Sequence, residues 1–100
     1  MLSAKIPNNV RKKVYARDGY RCALCDSTYG LQIHHVIPRG CGGNSTEYNL
    51  ITLCAYCHSH VHGRPLYDYE TDVTADDMEQ FCVEYLGDYY AEDRDYCPFG

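Results

Sequence analysis

Long apolar runs are missing from this 100-residue chain, although 45% of its residues are hydrophobic, so no segment is suited to cross a bilayer as a helix. The first residues, Met1 to Pro7, carry one lysine and none of the apolar stretch that a secretory signal requires. Internal repeats and low-complexity linkers are also missing, and the length suits one small domain. Basic residues are scarce in the second part of the chain. From Leu66 to Gly100, Arg94 stands alone against eleven Asp and Glu, a balance of −10. Residues 1–65 hold eight Lys and Arg against three acids, a balance of +5. The net charge of −5 thus averages two unlike segments: a basic module, residues 1–65, and an acidic appendage, residues 66–100. These absences predict an intracellular protein with no membrane association.

What the chain has in abundance is cysteine, seven in all. In a reducing compartment disulfides are rare, an odd count does not complete a disulfide framework, and a domain this small gains stability from a metal. Cys22-x-x-Cys25 and Cys54-x-x-Cys57 each place two sulfurs on one knuckle, and two knuckles complete a tetrahedral thiolate site of the structural zinc type. No βαβ pattern surrounds either pair, which argues against a redox role. Cys41, Cys82 and Cys97 lack partner spacing and read as buried or free thiols.

Around the knuckles the pattern is α+β. Asn8 to Arg17 reads as a short basic helix, capped by Asn8 or Asn9 and stopped at Asp18-Gly19. Leu31 to Pro38 and Asn49 to Leu53 read as strands, separated by a glycine-rich loop, and Cys54 to Gly63 as a helix. Thr74 with Asp77 resembles a capping pair for an acidic helix whose apolar positions are Met78, Phe81, Cys82, Tyr85, Leu86 and Tyr89. Ala91 to Gly100 read as frayed.

All five histidines fall between positions 34 and 62. His58 and His62 lie four apart on a helix and share a face, while strand alternation sends His34 and His35 to opposite faces. One strand histidine with the helical pair gives three imidazole ligands and leaves positions open, as catalytic metal sites require; a second, purely structural zinc site is the rival reading. The other strand histidine is then free to act as a base. His60 points away from the shared face and reads as a bystander or a phosphate contact.

The run LQIHHVIPRGCGGNSTEYNLITLCAYCHSHVH, preceded by VYARDGYRCALC, resembles the HNH endonucleases of the ββα-metal type over about Val10 to Gly63. The resemblance implies a small zinc-stabilised ββα-metal domain with a basic N-terminal helix and an acidic C-terminal helix. It implies a metal-dependent DNA endonuclease that hydrolyses phosphodiester bonds, with His35 as general base and His34, His58 and His62 as ligands of a catalytic divalent ion (Mg²⁺, Mn²⁺, Ni²⁺ or Zn²⁺). Asn49 would hold the loop that orients the base, and Cys22, Cys25, Cys54 and Cys57 would carry structural Zn²⁺. Many members have Asp where this chain has His34. Hydrolysis needs an activated water, stabilised phosphoryl oxygens and help for the leaving oxygen, and a neutral imidazole beside a divalent ion meets these needs.

DNA would be held through its phosphates by Lys12, Lys13, Arg17, Arg21 and Arg39, contacts that position a duplex and carry little sequence information. Similar small proteins include phage packaging nucleases, restriction-type nucleases and mobile-element nucleases, and the short chain leans toward the phage or mobile-element kind. This places the chain in the cytoplasm of a bacterial or phage-infected cell, with a protein partner, such as a packaging component, at the acidic segment. A non-catalytic zinc-knuckle DNA-binding or adaptor protein is the alternative; such a protein needs the cysteines and not the histidines.

Overall fold

The basic segment after Pro7 coils into helix α1 (Asn8–Arg17). A computed structural model describes residues 6–64 and 73–97; the junction at 65/66 and the last three residues lie outside this range. Asn8 and Asn9 do not cap α1. Both sit inside its first turn, and the carbonyl of Pro7 accepts from the amides of Val10 and Arg11 at 3.1 and 2.9 Å. The helix stops where expected, because Gly19 adopts φ +75° and turns the chain out of the helix.

Strands β1 (Gln32–His35) and β2 (Leu50–Leu53) form an antiparallel pair in which His34 faces Ile51 and His35 faces Leu50. All four β2 residues are buried, the apolar Leu50, Ile51 and Leu53 together with Thr52. A single 3₁₀ turn (Arg39–Cys41) interrupts the connecting loop. Helix α2 (Ala55–Val61) follows β2 directly, with the Cys54 sulfur accepting from the Cys57 amide at its N-terminus. Together these elements are the ββα unit of a small α+β fold.

Helix α3 (Ala75–Tyr89) opens on a capping box in which Thr74 and Asp77 exchange side-chain and backbone bonds. It inserts Met78, Cys82 and Leu86, spaced four apart, into one core with Cys22, Val36, Ile51, Leu53, Cys54 and Val61. The buried stripe is narrower than the sequence suggests, since Phe81 and Tyr89 are exposed. Residues 91–97, beyond α3, are tied to the loop before β2: Tyr48 donates to Asp93 at 3.1 Å and Asn44 donates to the Cys97 carbonyl at 2.8 Å.

Arg17 and Asp18 tie the helices together. Arg17 is bidentate to Asp18 at 2.7 and 2.8 Å and donates to the carbonyls of Glu47 and Leu50 at 2.8 and 2.7 Å. Its guanidinium also reaches the Tyr90 hydroxyl at 3.1 Å, while Tyr85 donates to Asp18 at 2.8 Å and the Thr52 amide does so at 2.9 Å. Burial lowers the pKa of Arg17, but bonding to Asp18 more than offsets it, and the net shift is upward. This is a structural hub, so Arg17 does not belong with the DNA contacts: its side chain is 4% exposed and cannot reach a phosphate. His60 is likewise withdrawn from any phosphate role. It is buried and donates to the Val73 carbonyl at 2.8 Å, fixing the chain just ahead of α3.

Candidate metal centres and active site

The two knuckles meet. Cys22 and Cys25 lie on the turn after α1, Cys54 and Cys57 at the start of α2, and their four sulfurs fall within 4.8 Å of one another. Cys25 is 3.6 Å from Cys54 and 3.7 Å from Cys57, sulfur to sulfur. Tetrahedral zinc with Zn–S near about 2.3 Å separates its sulfurs by about 3.8 Å, so the donor set fits that ion. Hydrogen bonding from Cys57 pulls the Cys22 thiol down to about 4, and the same bond pushes Cys57 up. The cluster thus stabilises a thiolate, the form that binds metal. Cys82 is buried in the core and Cys41 is exposed; neither joins the cluster.

A second group gathers His34 from β1 with His58 from α2 and His62 at the C-cap of α2, again with donor atoms within 4.8 Å of one another. The Nε2 atoms of His58 and His62 are 3.2 Å apart, close to the separation of two nitrogens about 2.1 Å from one ion. Burial, reinforced by the neighbouring His34 and His62, lowers the pKa of His58 to about 4, so its ring is neutral near pH 7. Two outer contacts orient these rings. His58 Nδ1 bonds Gln32 Oε1, and His34 Nε2 lies 3.1 Å from Glu79 Oε1. With Nδ1 engaged, His58 presents Nε2 toward His62, the orientation that ligand histidines need.

His35 ends β1 beside this group. A cleft of about 270 Å³ is lined by His34, His35, Ile33, Pro38, His58, His62 and Glu79, so both strand histidines border one space despite their alternation. The Nε2 of His35 lies 3.1 Å from the Ser45 hydroxyl. Asn49 is fully buried and clamps the loop: its amide exchanges bonds of 2.8 and 2.9 Å with the Ile37 backbone and donates to the Asn44 carbonyl at 2.9 Å. Gly43 makes this closure possible. A Cβ there would lie 1.8 Å from the Ile37 carbonyl oxygen and 2.6 Å from the Asn49 amide nitrogen.

Among the basic residues, Lys12, Lys13 and Arg21 are exposed, with Lys13 3.8 Å from Glu47. The side chain of Arg39 lies outside the described residues. Gln32, Ser45 and Glu79 escaped sequence reasoning. Gln32 had a signal, since it stands two positions before His34 on one strand; Ser45 and Glu79 reach the histidines only through tertiary packing.

Two short strands, a helix and an imidazole cluster beside a thiolate cluster define a ββα-metal protein. Residues 22–64 match the HNH endonuclease family, and the chain belongs to it. Over 39 residues it is 44% identical to the type IV methyl-directed restriction enzyme EcoKMcrA of Escherichia coli (strain K12). That stretch is 39% of this chain and 14% of the relative. Over 53 residues it is 34% identical to Anaredoxin of Nostoc sp. (strain PCC 7120), covering 52% of this chain and 70% of the relative. Among the described residues no helix is long and apolar enough to cross a membrane.

Proposed function

We propose that the protein is a metal-dependent DNA endonuclease in which His35 is the general base. The observation that carries this reading is the shared cleft, where His35 borders the three imidazoles of His34, His58 and His62. A zinc-knuckle binder needs the cysteines alone; nothing in that role requires a second, imidazole-lined cluster with an adjacent base.

A divalent ion bound by the three imidazoles would supply Lewis-acid stabilisation of the phosphoryl and leaving oxygens. His35 takes the proton of the attacking water, a task suited to an imidazole near neutral pH. Ser45 holds the ring through Nε2, and Asn49 keeps Ile37 and Asn44 in place on either side of the turn that carries Gly43. Lys12, Lys13 and Arg21 hold the DNA backbone electrostatically, with Arg39 as a further contact.

Residues 1–65 carry the nuclease core, and 66–100 the acidic appendage. The outer face of that appendage takes a protein partner in the cytoplasm, of the kind a phage or mobile-element nuclease works with. The test is cleavage of supercoiled plasmid with Mg²⁺, Mn²⁺, Ni²⁺ or Zn²⁺. His35→Ala is expected to lose about 10²–10⁴-fold in rate while keeping its metal content and DNA affinity. Full activity in that variant would overturn the assignment of the base.

A further inference from the structure

We infer that Glu79, carried by the acidic helix α3, is a positioning residue for His34 at the imidazole metal site. The inference rests on the reading that His34, His58 and His62 hold an ion, and it adds a residue from outside the matched segment, residues 22–64. Glu79 Oε1 lies 3.1 Å from His34 Nε2, and the His34 side chain is only 6% exposed. With Nε2 engaged by a carboxylate, Nδ1 is the nitrogen left with a lone pair for an ion. A carboxylate on the outer nitrogen also makes the imidazole a better donor. Glu79 is not itself a member of the group whose donor atoms lie within 4.8 Å of one another, which separates an orienting role from a ligating one.

The contact is built in rather than incidental. His60 fixes Val73, Thr74 and Asp77 form the capping box, and Met78 is buried in the core. These three anchors set the first turns of α3 against α2 and bring the Glu79 backbone beside β1, with the Glu79 side chain 36% exposed. The acidic helix thus completes the metal site while its other acids face solvent.

The experiment titrates Ni²⁺ into full-length protein whose cysteine site is loaded with zinc, using calorimetry, for wild type, Glu79→Gln, Glu79→Ala, Asp88→Asn and His58→Ala. Co²⁺ replaces Ni²⁺ in a parallel series read by its visible ligand-field bands. Outer-sphere partners of this kind are worth about 10–100-fold in metal affinity. Glu79→Ala should weaken Ni²⁺ by that factor and shift the Co²⁺ bands, and Glu79→Gln, which keeps shape and an acceptor, should fall between. Asp88→Asn, an exposed acid on the same helix, should bind as wild type. Circular dichroism establishes that each variant is folded, and Glu79→Gln serves where Glu79→Ala is not. Ni²⁺ affinity within twofold of wild type in the folded Glu79 variants overturns the inference, as does an equal loss in Asp88→Asn. If His58→Ala also binds as wild type, the imidazole site itself is refuted; if His58→Ala loses the ion and Glu79 variants do not, the role of Glu79 alone fails.

Discussion

Replacing Arg17 by Met separates two roles that a basic helix residue can play. As a phosphate contact, Arg17 would contribute one unit to the salt dependence of DNA binding and almost nothing to stability. As the hub seen here, it makes five hydrogen bonds to four partners, with side-chain exposures of 4% for itself and 0% for Asp18. Methionine fills much of the volume and leaves the Asp18 carboxylate supported only by the Thr52 amide and the Tyr85 hydroxyl. Two carbonyls, of Glu47 and Leu50, lose their donor as well. Breaking one side of a buried ion pair costs about 3–5 kcal/mol. A domain of this size has about 5–15 kcal/mol in total and loses roughly 4–8 °C in Tm per kcal/mol. Urea denaturation of the zinc-loaded protein should therefore show Arg17→Met near the edge of unfolding. Substituting Asp18→Leu as well would not restore stability, because the Thr52 amide and Tyr85 hydroxyl would then lack their acceptor. Loss of less than about 1 kcal/mol, together with a DNA salt slope reduced by about one, would refute the hub and return Arg17 to the interface.

Cys54→Ser should lose zinc and unfold or severely destabilise the domain, because structural zinc binding is coupled to folding, whereas Cys41→Ser should keep its zinc by elemental analysis. Gly43→Ala should cost about 1–3 kcal/mol by thermal denaturation and reduce cleavage, since a Cβ must displace the Ile37 carbonyl; Gly40→Ala, with nothing within 4 Å, should be silent. In protein with the imidazole site metal-free, the pKa of His58 is lowered to about 4, below the unfolded value near about 6.5. The unfolded chain then binds more protons between these values, so stability present at pH 7 should fall as pH drops from about 6.5 to about 4. A urea midpoint at pH 5 that is unchanged from pH 7, or a decline that persists undiminished in His58→Ala, would show that His58 is not the group responsible.

Much of the site was legible because metal ligation imposes spacing on sequence. Two Cys-x-x-Cys pairs and a His-x-x-x-His pair each fix side chains on one local element, so their geometry follows from knuckle and helix alone. Asn49 was legible through family resemblance, and the buried amide spanning Ile37 and Asn44 gives it a physical reason. The elements themselves were legible from local pattern: β2 sets three apolar residues around Thr52, and α3 announces its start with Thr74 and Asp77.

The errors share one origin, which is that exposure cannot be read from residue type. Arg17 sits among Lys12 and Lys13 in a basic run, yet α1 turns it inward because Asp18 follows and the carbonyls of Glu47 and Leu50 lie behind it. Phe81 and Tyr89 fit a helical period, yet Met78, Cys82 and Leu86 alone suffice to dock α3, so the flanking aromatics remain outside. Glu79 is the same lesson with the opposite sign. In sequence it is one of eleven acids in a segment of balance −10; in space it is the acid brought within 3.1 Å of His34. Average charge describes how such a segment repels DNA at a distance, where screening acts over about 8–10 Å. It says nothing about a carboxylate in contact with an imidazole, where position decides everything. Helix α3 therefore acts on the site through one residue and on its surroundings through the rest.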